Sequence, residues 1–397
     1  MRILVVTPTY FPIIGGAEVG IYQIYSRLAE RHQVRVLTPE QRGRVAPSFC
    51  EAMPAGFDIE LETVRFKDTW SAMNIRGHRA TAGIVPPFSL SYITQLKKQI
   101  NDFSPDVINL HYAVPGGLAA IVSQKIFGVP VVLSLIGRDV PGPWTPPLWR
   151  YYLRSVASRC SSTLFISDYC RREVFGNRYP ESAVVVPYGA DVRKPRPVID
   201  KTEIRKKLGL PTDGVMFLAV QRLAKEKRVD IVIRAMGELV SANPDAHLVI
   251  AGGGPCKDEL TKLADSIIPD GRARLLGRVS DDDLAALYRV ADVFVFHSRY
   301  ETFGVVLVEA MAAGLPIVTV NNTAIPELVE HGKNGLLVPT YDHSAMADAM
   351  KLLVENPEMR TKMGQASKEA SEKFDWQEIA SQYESALQEA VVDYKRK

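Results

Sequence analysis

The sequence predicts an α/β protein built from two doubly wound domains, and three observations carry this prediction. Short runs rich in Val, Ile and Leu alternate with helix-like segments along the chain, as in parallel sheets covered by helices. The runs are continuously apolar, which indicates strands that are buried on both faces. The length of 397 residues suits two domains of about 150–200 residues each.

The predicted strands fall into two similar sets, one in each half of the chain. Those of the first half are ILVVTP, VRVLTP, DVINLH, PVVLSLIG, STLFIS and AVVVPYG, and those of the second are VMFLAVQRL, HLVIAGGG, ARLLG, DVFVFHS, PIVTV and GLLVP. The halves also repeat one spacing, because Asp106 and Gly128 are 22 residues apart, as are Asp292 and Gly314. Together with the shared alternation, this spacing favours two similar domains over one large sheet.

The domain boundary is predicted in the segment 186–200, which is rich in proline and charge. We therefore expect a first domain at 1–190 and a second at 191–375. The last segment, 376–397, has a helical pattern with no strand after it. This pattern predicts a C-terminal helix that crosses back to pack on the first domain.

Composition excludes several classes of protein. Apolar residues make up 46% and charged residues 23%, and the net charge is only +3, which is ordinary for a folded protein and does not call for nucleic acid. The four cysteines are scattered without CxxC spacing, which favours reduced thiols. No apolar run reaches the roughly 18–20 residues of a transmembrane helix. We expect a cytoplasmic protein that meets any membrane from the side, at its inner face; the oligomeric state is left open.

The segment 299–318, RYETFGVVLVEAMAAGLPIV, is predicted to be a strand's exit loop followed by a helix that Gly314 ends. Ligands bind at this place in open α/β sheets. Glu301 lies in the loop, and Glu309 lies among apolar residues of the helix, where a carboxylate needs a partner such as a ribose hydroxyl. The first-turn amides are predicted to hold a phosphate; they belong to Phe303, Gly304, Val305 and Val306.

A second candidate site is AVQRLAKEKRVD, 219–230, which follows a predicted strand. Arg222 and Lys227 flank the entry to a helix, and two cations at a strand's end suit a diphosphate. Lys225 and Arg228 are interpreted as solvated loop residues.

Three further groups of residues follow predicted strands of the first half. Gly15 and Gly16 open a helix and form either a tight turn or a close approach to phosphate or sugar, without the GxGxxG of a dinucleotide site. His111 ends the strand in DVINLH; a lone histidine is more often structural, but its position at the carboxyl end of a strand favours a ligand role. Three residues of SLIGRDV are candidates to line the same cleft: Gly137, Arg138 and Asp139.

Two polar segments have a structural and a functional interpretation. Asp281 and Asp283 form a DxD, which can hold a metal, but Ser280 before them predicts an N-cap with acids in the first helical turn. The segment 140–160 mixes aromatic residues with Arg150, Arg154 and Arg159 at helical spacing. A packed helix is the first interpretation, and contact with a membrane surface or a lipid-linked acceptor is the second.

At these residues the sequence resembles the retaining GT-B glycosyltransferases of family 4, also called glycosyltransferase group 1. ETFGVVLVEAMAAGLPIV resembles the family's E-x7-E segment, and QRLAKEK resembles its GRL-x3-K, with Gln221 in place of glycine. VVVPYGAD resembles the hinge VIPNGVD, with Tyr188 in place of asparagine, and GGAE, AGGGP and LLGRVSDDDL also fit. The similarity covers nearly the whole chain.

The resemblance implies two facing Rossmann-like domains with a cleft between them, and a nucleotide-sugar held mainly by the second. It implies that Arg222, Lys227 and the amides around Gly304 bind the leaving diphosphate. It further implies that Glu309 binds ribose and that Glu301 binds hydroxyls of the donor sugar. The remaining implied contacts are the base with Val279 after Arg278, the sugar with His111, and the diphosphate with Gly15 and Gly16.

The implied reaction is transfer of a hexose from a nucleotide-sugar to a hydroxyl, with retention at the anomeric carbon. The acceptor would attack on the face that the diphosphate leaves, without a metal or other cofactor. The acceptor is a sugar, a lipid-linked molecule or a small molecule, as in polysaccharide, glycolipid or glycoconjugate synthesis. UDP-sugars, UDP-glucose first, are the favoured donors, and the segment 65–90 is predicted to be a loop that selects the acceptor.

Other functions remain open from the sequence alone. A nucleotide-sugar 2-epimerase and a phosphorylase share this architecture, although no sequence context indicates the cofactor lysine of a PLP-dependent phosphorylase. A catalytically silent partner of another transferase is an alternative of a different class. An NAD dehydrogenase is weakened by the missing GxGxxG.

Overall fold

The computed structural model describes residues 1–11, 15–40, 61–68, 88–137, 139–140, 142, 145–192, 200–243, 245–269 and 271–396. They form two compact units. Unit 1 comprises Met1–Tyr188 and Trp376–Lys397, and unit 2 comprises Gly189–Asp375. Arg138 and most of the segment 65–90 lie outside the described residues.

In unit 1 the described strands form a parallel sheet of order β3-β2-β1-β4-β5-β6-β7. The strands are β1 (Arg2–Val6), β2 (Gln33–Pro39), β3 (Glu62–Phe66), β4 (Val107–His111), β5 (Val131–Leu135), β6 (Ser162–Phe165) and β7 (Ala183–Val185). The helices are α1 (Gly16–Ala29), α2 (Ser91–Phe103), α3 (Gly117–Phe127), α4 (Pro147–Ala157), α5 (Asp168–Phe175) and, from the end of the chain, α13 (Trp376–Arg396).

In unit 2 the described strands form a parallel sheet of order β10-β9-β8-β11-β12-β13. The strands are β8 (Val215–Val220), β9 (Ala246–Ala251), β10 (Ala273–Gly277), β11 (Val293–Phe296), β12 (Ile317–Val320) and β13 (Gly335–Val338). The helices are α6 (Lys201–Lys207), α7 (Val229–Ala242), α8 (Lys257–Ile267), α9 (Asp281–Val290), α10 (Val305–Ala312), α11 (His343–Glu355) and α12 (Pro357–Ser371).

The prediction of two Rossmann-like α/β units is confirmed. β1 lies between β2 and β4, and β8 lies between β9 and β11. In each sheet the chain adds strands first on one side of this strand and then on the other, as in doubly wound folds. The repeated spacing of 22 residues marks equivalent strand–helix–strand connections, β4 to β5 and β11 to β12. β4, β5, β11 and β12 are buried along their whole length, which explains their continuous apolar runs.

One strand was missed by the sequence analysis. β3, whose sequence is ETVRF, overlaps the start of the segment 65–90, which was predicted to be a loop. It is the edge strand of its sheet, and only Phe66 within it is buried. An edge strand exposed in this way has no continuous apolar run, so the prediction of a loop at its last residues was wrong.

The C-terminal helix belongs to unit 1, where α13 packs against α1. Its buried Tyr383 lies in stacking distance of His111, with ring centroids 6.4 Å apart. No helix within the described residues is both long and apolar enough to cross a bilayer.

The tyrosine that replaces the family's hinge asparagine is part of the core of unit 1. Tyr188 is 1% exposed, its ring centroid lies 5.9 Å from that of Trp376, and its hydroxyl donates to the Ala17 carbonyl at 3.4 Å. Its ring fills the space beside Gly20 of α1, where an added Cβ would collide with the ring. A glycine inside α1 is therefore required by the tyrosine.

Gly20→Ala is expected to lower the thermal unfolding midpoint by about 4 °C. The clash of the new methyl group with the Tyr188 ring destabilises the fold by more free energy than the higher helix propensity of alanine contributes. Differential scanning calorimetry measures the midpoint. Tyr188→Leu should lower it too, and Gly20→Ala should then cost little in the Tyr188→Leu background. Additive losses in the double variant would show that the two positions do not interact.

Candidate active site

The carboxyl ends of β8 and β11 meet at the switch point of the unit 2 sheet. The two strands are hydrogen-bonded neighbours, with Val293 opposite Phe217, and the chain continues from β8 to β9 on the other side. Ligands of open α/β sheets bind at this kind of edge. The candidate residues after these strands, 221–228 and 297–304, therefore face one place.

The structure pairs Lys227 with Glu301. The Lys227 ammonium donates to Glu301 Oε2 at 2.7 Å, although the residues are 74 positions apart. Their side chains are 22% and 15% exposed, and the ammonium is also 3.5 Å from Ser298 Oγ. The Arg299 amide donates to the Glu226 carbonyl at 2.9 Å, which ties the two loops together. Lys227, which was predicted to bind phosphate, and Glu301, which was predicted to bind sugar, thus form one ion pair.

The two arginines of the β8 loop have carboxylate partners of their own. Arg222 is ion-paired with Glu226, and its side chain is 64% exposed. Arg228 was interpreted as solvated, but the structure corrects this: its guanidinium donates twice to Asp230, at 2.9 Å each. Sequence reasoning missed Glu226 and Asp230, which lie four positions after Arg222 and two positions after Arg228.

The predicted loop–helix junction forms at Gly304. Gly304 has φ 99° as the N-cap of α10, a left-handed conformation that favours glycine. Among the described residues, the amides of Phe303, Gly304, Val305 and Val306 have no hydrogen-bond acceptor, as expected of a first helical turn. The helix ends at Ala312 with Ala313 as its C-cap, so Gly314, the predicted cap, lies one position beyond the observed one. The junction presents donors and a helix dipole to an anion.

Glu309 has a partner within the protein. The Tyr288 hydroxyl donates to Glu309 Oε2 at 2.7 Å, and no described residue donates to Oε1. Burial raises the pKa of Glu309 to about 7, and the hydrogen bond from Tyr288 opposes that rise. The sequence analysis expected a ligand to hydrogen-bond this carboxylate. The structure shows that Tyr288 of α9 already hydrogen-bonds one of its two oxygens.

This raised pKa predicts how stability depends on pH. The folded state holds the Glu309 proton more tightly than the unfolded state, so the stabilisation is complete below pH 4.5 and is lost as pH rises through about 7. Glu309→Gln removes this contribution, so the unfolding midpoint of the variant relative to that of wild type should rise between pH 5 and 7. The comparison isolates Glu309, because the buried Asp139, whose pKa is raised to about 7, and the buried His111, whose pKa is lowered to about 3, are present in both proteins. Thermal melts across this range test it; an unchanged slope would contradict it.

The residues expected at the base follow β10. Arg278 is exposed and Val279 is partly buried, and a Cβ on Gly253 would lie 3.4 Å from Arg278 Cγ. Next to them, the Ser280 hydroxyl accepts from the Asp283 amide at 3.1 Å and caps α9. The capping interpretation of the DxD segment is confirmed. The described residues contain no group of three or more His, Cys, Asp or Glu side chains that could hold a metal ion.

In unit 1, His111 is completely buried at the end of β4. Its Nε2 is 3.1 Å from the Tyr25 hydroxyl, and the same hydroxyl donates to Asn109. Its Nδ1 has no partner among the described residues. Burial lowers the pKa of His111 to about 3, so the imidazole is neutral near pH 7. Sequence reasoning missed Tyr25 and Tyr383, which reach His111 from helices far along the chain.

The glycine pair opens α1 as predicted. Gly15 is its N-cap, and a Cβ there would lie 2.7 Å from Glu18 Oε2. No atom of the described residues lies within 4 Å of a Cβ placed on Gly16, which fits a close approach by a ligand. Glu18, which the analysis missed although it ends the GGAE motif, is buried and accepts from Thr9 Oγ1 at 2.5 Å.

The described residues after β5 lie in a turn and are buried. Asp139 Oδ2 accepts from the Ala113 amide at 2.7 Å, which joins this turn to the residues that follow His111. Its Oδ1 has no partner among the described residues. Gly137 precedes it with φ 145°. The turn therefore fixes the backbone beyond β4.

The basic segment of unit 1 contains the packed helix α4. Arg150 is paired with Glu173 at 3.3 Å and donates to the Gly142 carbonyl at 2.6 Å. Arg154 is exposed in the last turn. Arg159 lies beyond the end of the helix, so the prediction that all three arginines share one helix was wrong.

Each of the two units matches a protein family model. Residues 15–189 match the model of the glycosyl transferase 4-like domain, and residues 200–370 match that of glycosyl transferases group 1. The chain belongs to the group 1 glycosyltransferases and is a transferase with the GT-B fold. The predicted family is confirmed.

Relatives and solved structures span nearly the whole chain. It is 25% identical to N-acetyl-alpha-D-glucosaminyl L-malate synthase of Bacillus anthracis over 98% of this chain and 97% of that protein. It is 27% identical to phosphatidyl-myo-inositol mannosyltransferase of Mycolicibacterium smegmatis over 96% and 92%. The crystal structure of Anabaena HepE in complex with UDP has a TM-score of 0.77 and 20% identity, over 98% of this chain and 100% of that one.

Proposed function

We propose that this glycosyltransferase moves a hexose from a UDP-sugar, UDP-glucose first, to a hydroxyl acceptor, with retention of anomeric configuration. The observation that carries the proposal is the Lys227–Glu301 pair, 2.7 Å apart, beside the unpaired amides of the Gly304 junction. One edge of the sheet thus offers a cation and amide donors for a diphosphate and a carboxylate for sugar hydroxyls.

Each residue of unit 2 receives a role from its chemistry. Lys227, Arg222 and the α10 amides bind the diphosphate, since charge-assisted hydrogen bonds to phosphate are strong. Glu309 Oε1 accepts from ribose, and Glu301 accepts from hydroxyls of the donor sugar. The backbone at Val279 contacts the base. The roles that the resemblance implies for Gly15, Gly16 and His111 stay predictions.

The proposed chemistry is a same-face substitution. The bond between the anomeric carbon and the phosphate oxygen breaks, so negative charge grows on the diphosphate and positive charge on the sugar. Lys227 and the α10 amides lie at the edge of the sheet that is assigned to the diphosphate and stabilise its growing negative charge. The acceptor oxygen attacks the same face and passes its proton to the leaving phosphate. A glycosyl–Glu301 adduct isolated by mass spectrometry would overturn this route.

A panel of UDP-, GDP- and ADP-sugars tests the donor. UDP and UDP-glucose come first because HepE, which shares the fold, has been crystallised with each. We expect slow hydrolysis of one UDP-sugar and, with an acceptor, an α-linked product from an α-linked donor. Preference for GDP-sugars would overturn the choice of base, and an inverted product would overturn retention. A C2 epimer formed without acceptor would favour the epimerase instead.

The acceptor panel follows from the names of the relatives. The two relatives described above are named for L-malate and phosphatidyl-myo-inositol, which are hydroxylated molecules that carry an anionic group. We propose an acceptor of this kind, and the panel should contain one hydroxy acid, one sugar phosphate and one phospholipid in vesicles. Transfer to neutral sugars alone would contradict this choice.

Metal removal is expected to leave the activity within about twofold, because Lys227, Arg222 and the helix amides supply the charge stabilisation that a cation would otherwise provide. The measurement is the initial rate with EDTA and after dialysis, compared with added Mg²⁺ or Mn²⁺. A loss that either cation restores would show that the proposed diphosphate site is incomplete.

A further inference from the structure

Gln221 occupies an unusual place in the candidate active site. It is the first residue after β8 and directly precedes Arg222. The family motif that this segment resembles has glycine here. The Gln221 amide donates to the Ala251 carbonyl at 3.1 Å, so the residue continues the pairing of β8 with β9 at the carboxyl edge of the sheet.

The Gln221 side chain is buried without partners. The residue is 7% exposed, and neither Oε1 nor Nε2 has a hydrogen-bond partner among the described residues. Leaving a buried carboxamide unpaired costs free energy, and most buried polar groups are paired. An unpaired carboxamide at the carboxyl edge of a sheet indicates a hydrogen-bond partner supplied by a bound ligand.

The surroundings of Gln221 indicate which part of a nucleotide that partner is. A Cβ on Gly252 would collide with the Gln221 carbonyl, and the Leu223 amide donates to the Gly253 carbonyl at 2.9 Å. The loop after β8 therefore lies on the loop after β9, whose Gly253 in turn lies beside Arg278. With the order β10-β9-β8-β11, Gln221 lies between the residues assigned to the base, after β10, and those assigned to the diphosphate, after β11.

We propose that Gln221 is a donor-binding residue that hydrogen-bonds the nucleoside part of the donor. A carboxamide carries a donor and an acceptor side by side, which complements a base edge or a ribose hydroxyl. The side chain turns toward the bound nucleotide, and rotamer changes of this kind are common on binding. The inference rests on the proposed function, since it needs a nucleotide-sugar donor.

The test measures UDP and inorganic pyrophosphate binding by calorimetry, with thermal melts of the same proteins. Gln221→Met keeps the size and removes the carboxamide. We expect its Kd for UDP to rise about tenfold, because a buried amide contact is lost, while its Kd for pyrophosphate stays within about twofold. Its unfolding midpoint should not fall, since an unpaired buried polar group is replaced by an apolar one.

Gln124→Met is the matched control, because the Gln124 carboxamide is fully engaged in unit 1. It accepts from the Val131 amide at 2.8 Å and donates to the Arg159 carbonyl at 2.9 Å. This variant should lose thermal stability and keep its affinity for UDP.

Three results would overturn the role of Gln221: an unchanged Kd for UDP in Gln221→Met, equal weakening of UDP and pyrophosphate, or a fall in midpoint like that of the Gln124 control. Failure of the proposed function is distinguishable, because the wild-type protein would then bind neither UDP nor GDP. If GDP binds better than UDP, the same comparison with GDP decides the role of Gln221.

Discussion

Lys227→Met is expected to lower kcat/KM about 10²–10³-fold, the usual loss when one preorganised donor is removed from a developing negative charge. The Lys227 ammonium is held in place by Glu301 and Ser298, at 2.7 Å and 3.5 Å, so it meets the diphosphate without reorganisation. Most of the loss should appear in kcat, because the charge on the diphosphate grows as the glycosidic bond breaks. Initial rates over a range of donor concentrations measure both parameters.

Lys225→Met is the matched control for that experiment. Lys225 begins the same short 3₁₀ turn as Lys227 but is exposed. Its loss should change kcat/KM by less than about twofold, because exposed charges interact weakly with their surroundings. Equal losses in the two variants would mean that the turn contributes general positive charge rather than one placed ammonium.

The second large effect is a difference between the two glutamates. Glu309→Ala is expected to raise the Kd for UDP about tenfold or more, because a carboxylate that accepts from ribose is lost. Glu301→Ala should lower kcat by about 10²-fold, because contacts to the donor sugar position it for the reaction. UDP should still bind the Glu301 variant, because Lys227, Arg222 and the α10 amides, which are assigned to the diphosphate, are retained.

Calorimetry with UDP and rates with the preferred UDP-sugar separate these two roles. Tyr288→Phe is a further variant for Glu309, because it removes the hydroxyl that donates to Oε2 and leaves the carboxylate. That hydroxyl lowers the pKa of Glu309, so without it UDP binding should need a higher pH. Equal losses of UDP affinity in the Glu301 and Glu309 variants would refute the division of labour between them.

Most of the fold was predictable because buried parallel strands leave a local signal. β4 and β11, for example, are continuous apolar runs, since each lies inside its sheet and is covered on both faces. The N-cap at Ser280 and the start of a helix at Gly304 were also predictable, because caps and turns depend on a few neighbouring residues. β3 was missed because an edge strand shares little of that signal.

The candidate site was predictable as a set of positions but not as a set of contacts. Residues at strand ends could be selected from the sequence because parallel strands bring their carboxyl ends to one edge. Which side chains touch there depends on strand order and loop path. The replacement of glycine by Gln221 was visible in the sequence, whereas the absence of any partner for its carboxamide was visible only in the structure.

The sequence by itself therefore determined the two Rossmann-like units, the family and the strand ends that carry the candidate residues. Those properties depend on local patterning, which hydrophobic burial and backbone geometry impose on neighbouring residues. Only the tertiary structure decided that Lys227 pairs with Glu301, that Tyr288 donates to Glu309, and that His111 is buried beside Tyr25. These contacts join distant parts of the chain, and the pairing of strands in the two sheets creates them.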